Sequence, residues 1–186
     1  MYGIGPSKTP VKVRLATTSL AGCFGCHMSL LDIDERLFEL AEIAEFDRTP
    51  LTDIKHCGRC DIALIEGGVC NAENVQVLRE LRANAKILVA VGACAITGGL
   101  PAMRNRLAIG DVLRKVYDDP EREGTGVPND PELPLPLDKV YPINEVVRVD
   151  YFLPGCPPSG DAIWKYLTAL ILGHMPRLEP MAMNYD

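Results

Sequence analysis

Two thiols stand two residues apart in Gly22-Cys23-Phe24-Gly25-Cys26-His27. An apolar run that reads as a strand, Val11 to Ala16, precedes them, and Met28-Ser29-Leu30-Leu31-Asp32 reads as the start of a helix. Thiols on a strand-to-helix turn are placed to grip one metal centre. The helix N-terminus behind them offers free N–H groups and the positive end of a dipole, which favour thiolate over thiol. Gly22 and Gly25 permit a tight bend and let N–H groups approach sulfur with no Cβ in between. The pair alone fits a redox dithiol, half a zinc site or half an iron–sulfur site. What decides is whether other cysteines reach it.

The elements that would bring them lie along the rest of the chain. Val11 to Ala16 alternates as a strand, and Leu30, Ile33, Leu37 and Leu40 recur at helical spacing over Ser29 to Leu40. Glu42 to Arg48 reads as a second strand. Asp61 to Glu66 reads as a buried strand ending at Gly67-Gly68, and Val75 to Ala83 as a helix with Asn71 and Asn74 as candidate caps. Ile87 to Val91 is a continuous apolar run, the mark of a central parallel strand covered on both faces, and it ends in Gly92-Ala93-Cys94. Ile109 to Tyr117 is a short helix. Asp118 to Pro136, rich in proline, glycine and acid, is a surface excursion or partner-binding loop. Val146 to Leu153 is a last strand ending in Pro154-Gly155-Cys156-Pro157-Pro158. Ser159 then caps a helix through Trp164 and Leu170, and a Pro- and Met-rich arm closes the chain. Strands alternating with helices predict one α/β domain over residues 1–186, with a mostly parallel sheet and helices on both faces.

In open parallel sheets, sites lie outside the carboxyl ends of the strands. Three predicted strands end in cysteine turns: the first in Cys23 and Cys26, the central one in Cys94, the last in Cys156. If these strands are neighbours, four thiolates converge at one edge. Zinc sites usually come as two close pairs, whereas here one pair joins two distant singletons amid glycine and proline. An iron–sulfur cluster is therefore favoured over zinc.

The remaining candidates read more plainly. Cys57-Gly58-Arg59-Cys60 would complete a CxxC…CxxC zinc pattern, but it lies at the entrance of a strand, on the opposite sheet edge. Two free thiols beside an interface is the simpler reading, ahead of a second metal site or redox pair. Cys70 reads as a small buried hydrophobe. Glu66 ends a central strand and either bonds neighbouring backbone N–H groups or serves the cluster loop as a hydrogen-bonding or proton-relay group. His27 reads as structural; His56 and His174 carry no pattern, and Trp164 belongs to the core.

The 186 residues are 47% hydrophobic, enough for one domain that buries roughly 70% of its unfolded surface. A net charge of -6 argues against a sequence-independent grip on nucleic acid. Seven cysteines with no secretory leader read in Met1 to Pro10 suggest a cytoplasmic setting, where clustered thiols mean metal or redox chemistry. The most apolar stretch, Ala162 to Leu172, is too short for a membrane span and contains Lys165.

Cys23-Phe24-Gly25-Cys26, Gly92-Ala93-Cys94-Ala95-Ile96-Thr97-Gly98 and Gly155-Cys156-Pro157-Pro158 resemble the CxGC, GxCxxxG and GCPP motifs of [NiFe]-hydrogenase small subunits. Ile65-Glu66-Gly67-Gly68 resembles that family's EG segment. More narrowly, Cys26 to Asp32 and Leu100-Pro101-Ala102-Met103-Arg104-Asn105 are similar to the small subunits of the soluble, NAD-reducing group (HoxY-like). The resemblance covers roughly Lys12 to Leu172 and implies a flavodoxin-like fold with a proximal [4Fe-4S] cluster on Cys23, Cys26, Cys94 and Cys156. It also implies a role in electron transfer, with no bond-breaking residues in this chain. The implied partners are a large subunit holding the Ni–Fe centre and diaphorase subunits carrying Fe–S clusters, FMN and NAD. Cys57, Cys60 and Cys70 match no ligand of the family. The related complex I subunit typically has adjacent Cys-Cys ligands, whereas here the two are separated. Small subunits of F420-reducing or sulfur-linked hydrogenases are the nearest alternative, and a zinc-stabilised scaffold is the alternative of another class. The fold also invites FMN, but the turn where flavodoxins cradle phosphate is taken here by Cys23 and Cys26.

Overall fold

The computed structural model describes residues 12–54, 56–118 and 126–177. The start of the chain, part of the Pro-rich excursion and the end of the C-terminal arm therefore lie outside the described residues. Five parallel strands form the central sheet: β1 (Val13–Ser19), β2 (Ala44–Phe46), β3 (Cys60–Glu66), β5 (Ala85–Val91) and β7 (Tyr151–Leu153), in the order β2-β1-β3-β5-β7. This is the doubly wound, flavodoxin-like order expected of alternating strands and helices. A separate two-stranded ribbon pairs β4 (Val69–Asn71) antiparallel with β6 (Pro136–Tyr141). The sequence gives no sign of that ribbon, because Pro136 stands at the end of what reads as a loop.

Helices cover both faces. α1 (Gly25–Leu31), α2 (Arg36–Ile43) and α6 (Gly160–Ile171) enclose one core with Leu15, Leu64, Val89, Leu153 and Leu167. α3 (Ala72–Asn84) packs on the other, where Ala16, Ala63, Ile65, Leu78, Leu81 and Leu88 meet. Strand residues alternate between the two faces, so the unbroken apolar runs of β3 and β5 follow from their central position. α4 (Gly92–Thr97), a 3₁₀ turn (Leu100–Arg106) and α5 (Ile109–Tyr117) complete the chain.

Several boundaries differ from the sequence reading. The helix expected over Ser29 to Leu40 is two helices, broken where Asp34 adopts φ 54°. The last strand is only three residues, because Val146 and Val147 still bond back to Ile143 O and the chain first meets β5 where Asp150 N donates to Leu88 O. Asp150 Oδ2 accepts a hydrogen bond from Leu88 N at 2.9 Å and pairs with Arg82 at 2.5 Å, which seats β7 beside β5. Of the predicted caps, Asn71 accepts from Asn74 N and Ser159 from Ala162 N, while Asn74 itself lies inside α3. Among the described residues no helix is long and apolar enough to cross a membrane.

Candidate metal centre

β1 runs on to Ser19, past the predicted end at Ala16, before the chain turns through Cys23 into α1. Phe24 takes a left-handed conformation, φ 66°, rare for a residue with a large side chain. Its ring stacks on His27, with centroids 4.7 Å apart and planes at 10°. This bends the turn so that Cys23 and Cys26 face the same way. Cys94 comes from the first turn of α4, directly after β5, and Cys156 from the loop after β7.

All four thiols line one cavity of about 80 Å³, together with Glu66, Gly67, Gly155 and Pro157. The strands that carry them are not all neighbours. β3 lies between β1 and β5, and Glu66 at its end completes the wall. Cys23 and Cys156 are exposed, Cys26 and Cys94 half-buried, so the cavity opens on one side. Among the described residues no three Cys, His, Asp or Glu side chains converge closely enough for a single metal ion. The thiols ring a space and do not meet at a point.

The backbone is shaped for sulfur. A Cβ on Gly92, φ +81°, would stand 2.4 Å from Cys26 Sγ, and one on Gly99, φ +48°, 2.9 Å from Cys94 Sγ. Ala93 N donates to Gly155 O at 2.8 Å, joining the β5 and β7 turns. Ser29 Oγ donates to Pro158 O at 2.5 Å, tying the Cys156 loop to α1. Burial pushes the Cys26 thiol well up, and the nearby Glu66, Cys94 and Cys23 add repulsion. Burial also raises Cys94, which feels Cys156, Cys23 and Glu66 as well. Thiols so close in a half-dry pocket ionise together only beside a compensating positive centre.

Behind Cys26 lies a buried polar triad. Glu66 Oε2 accepts from His27 N at 3.2 Å, and Oε1 stands 3.0 Å from His27 Nδ1 without a well-aligned hydrogen bond. His27 Nε2 meets Thr17 Oγ1 at 2.9 Å. With its proton on Nδ1, the ring faces the carboxylate as donor and accepts from the threonine hydroxyl. Burial alone would raise the Glu66 carboxyl, but His27 and Ser19 outweigh it and hold the group below its ordinary value. Glu66 accepts from a backbone N–H, as one sequence reading expects, and it also borders the thiol cavity. Thr17 had no sequence signal, because a threonine within a strand looks like any other.

The other candidates lie elsewhere. Cys57 and Cys60 sit at the amino edge, where β3 begins. Cys70 is half-buried on β4, with its Sγ donating to Asn74 Oδ1 at 3.3 Å. Trp164 packs against the core beneath Arg36, whose guanidinium lies 5.7 Å from the ring centre. His56 is exposed, and so is His174.

A doubly wound parallel sheet with cysteine turns at its carboxyl edge defines the class: flavodoxin-like α/β chains built around a thiol-lined pocket. Within that class the chain belongs to the family described as NADH ubiquinone oxidoreductase, 20 Kd subunit, matched over residues 23–170. It is 46% identical over 180 residues to the NAD-reducing hydrogenase HoxS subunit delta of Cupriavidus necator, covering 94% of this chain and 86% of that one. It is 36% identical over 169 residues to a component of the vhu F420-non-reducing hydrogenase of Methanococcus voltae, covering 90% of this chain and 59% of that one. A chain in the crystal structure of an NAD+-reducing [NiFe]-hydrogenase in the H2-reduced state superposes with a TM-score of 0.92 at 61% identity, over 95% of this chain and all of that one. The resemblance to small subunits of [NiFe]-hydrogenases, read from three short motifs and narrowed to the NAD-reducing group on Cys26 to Asp32 and Leu100 to Asn105, is borne out over nearly the whole chain.

Proposed function

We propose that this chain is the electron-transfer small subunit of a soluble, cytoplasmic NAD-reducing [NiFe]-hydrogenase, and that Cys23, Cys26, Cys94 and Cys156 hold its proximal [4Fe-4S] cluster. The observation that carries the reading is the convergence of four thiols from three strand ends on one cavity. The donor set fits the group: four sulfurs ring a space, and the glycines leave room where a Cβ would strike sulfur. A single zinc would draw its ligands to a point, an arrangement that the described residues lack.

When bound, such a cluster accepts and releases one electron at a time. The protein's own residues set the conditions for that. Gly92 and Gly99 keep the approach to Cys26 and Cys94 open. Ser29 and Ala93 fix the Cys156 loop against α1 and β5. Glu66, held by His27, sets a negative charge and an acceptor beside Cys26, which lowers the potential of a neighbouring redox centre by stabilising its oxidised form. Hydrogen would be split at the Ni–Fe centre of a large subunit, and electrons would leave through the Fe–S clusters and FMN of a diaphorase module that reduces NAD. FMN in this chain is left outside the reading, since the β1–α1 turn is occupied by Cys23 and Cys26.

The test is iron and sulfide content of the purified complex, with its spectrum before and after hydrogen is admitted. Four irons and four sulfides per small-subunit cluster site, bleached by hydrogen, are expected. Stoichiometric zinc in their place would overturn the reading.

A further inference from the structure

Cys57 and Cys60 are unused by the cluster, yet their sulfurs lie 3.9 Å apart in hydrogen-bonding contact. Both are buried, at 7% and 2% exposure. Cys60 is the first residue of β3, paired with Ala85 of β5, so it is held by the sheet. Cys57 sits on the preceding loop, held by a hydrogen bond from its N–H to Glu80 Oε1 at 3.0 Å, and its Sγ donates to Gly58 O at 3.2 Å.

The carboxylates around the pair are already engaged. Asp47 pairs with Arg14 at 2.6 Å, Glu80 holds Cys57 N and lies 3.6 Å from Arg48, and Asp61 pairs with Lys86 at 2.6 Å. Two sulfurs without a third donor do not make a metal site, and among the described residues no third Cys, His, Asp or Glu joins this pair closely enough to hold an ion. What two facing thiols on one rigid strand and one short loop can do is join. Bringing them to a bond length of about 2 Å requires a closing movement of about 2 Å, within reach of side-chain rotation and a small shift of the loop.

We propose that Cys57 and Cys60 form a reversible disulfide, a redox modification site at the amino edge of the sheet, independent of the cluster reading. The oxidant class is a peroxide, small enough to reach a buried sulfur. Cys57, the more exposed of the two, attacks one peroxide oxygen; the O–O bond breaks, one water leaves and Cys57 becomes a sulfenic acid. Cys60 sulfur then attacks Cys57 sulfur, the S–O bond breaks and a second water leaves. Two thiols and one hydrogen peroxide thus give one disulfide and two waters, with both sulfurs oxidised and both peroxide oxygens reduced. Burial raises the Cys57 thiol above its ordinary value and Asp47 and Glu80 add to that rise, while the Cys60 S–H and the Arg48 guanidinium work against it; burial pushes Cys60 up to about 12, so the pair reacts through its contact and not through a preformed thiolate. The bond would fasten the loop after β2 to the start of β3.

The test uses the intact complex under anaerobic conditions, treated with one equivalent of hydrogen peroxide, then denatured in N-ethylmaleimide and digested for mass spectrometry. The expected product is a peptide carrying a 57–60 linkage, lighter by two hydrogens and restored by dithiothreitol, with Cys70 still alkylated. In the Cys57→Ser variant the linkage should vanish and Cys60 should take up maleimide on denaturation. The proposal is overturned if both thiols of the wild-type complex remain alkylatable at peroxide levels that oxidise Cys70. It is equally overturned if the pair proves blocked by bound zinc. The wild-type arm stands even if the variant does not fold.

Discussion

The chain contains two Cys-x-x-Cys pairs, and the sheet treats them oppositely. Cys23 and Cys26 leave β1 at its carboxyl end, where glycine turns open a cavity and two further thiols arrive. Cys57 and Cys60 enter β3 at its amino end, packed in a core cluster with Leu81 and Ala85 and fenced by ion pairs. At the first edge strands end and loops are free to converge; at the second the backbone is being drawn into a ladder. Identical motifs therefore differ in what can reach them. One pair gains partners from β5 and β7, and the other has only itself.

The sharpest way to break this comparison is Cys94→Ser. Removing a thiol that the cavity gathers from a distant strand should leave a weakly held or damaged cluster. H2-driven NAD reduction should then be nearly abolished, as read by iron content and activity of the complex. Normal iron with full activity would mean that the carboxyl edge is not the cluster site. Next in size, Gly92→Ala puts a Cβ 2.4 Å from Cys26 Sγ at a strained positive φ. We expect a loss of about 1–3 kcal/mol in unfolding free energy together with reduced iron content. An analogous Gly58→Ala change at the other edge should cost less and leave iron content intact, because its Cβ meets only the flexible ends of Asp47 and Arg14 at 3.0 and 3.2 Å.

Asp150→Asn tests the ties that keep the edges apart. Asp150 anchors β7 through Arg82 and Leu88 N. Burial raises its carboxyl, but those two partners outweigh it and hold the group below its ordinary value. A depressed carboxyl stabilises the fold above its ordinary range, and that share is lost as pH falls through the folded-state value. The variant should lose about 1–2 kcal/mol at neutral pH, and the difference from wild type should shrink in acid denaturation below pH about 4. An unchanged difference across the acid limb would remove Asp150 as the anchor. The smallest effect is expected of Cys57→Ser, with cluster content and hydrogen-driven activity retained and stability altered by about 1 kcal/mol or less. Loss of iron there would show that the amino-edge pair, too, serves the cluster.

Much of the fold is legible in local pattern. The apolar runs of β3 and β5, Asn71 and Ser159 as caps, and the carboxyl-edge position of the cysteine turns all follow from it. Features set by distant partners are not: the break at Asp34, the β4–β6 ribbon, and the short β7 seated by Asp150 and Arg82.

Taken alone, the order of residues determined the strand–helix alternation, the positions of the thiols at strand ends and the family motifs, because each is written in neighbours a few residues apart. Only the tertiary structure decided that β3 stands between the strands bearing Cys26 and Cys94, that Glu66 therefore fills the gap behind a sulfur, and that Thr17 and His27 brace it. Those outcomes depend on strand order and on which buried polar atoms find one another, and no local pattern carries that information.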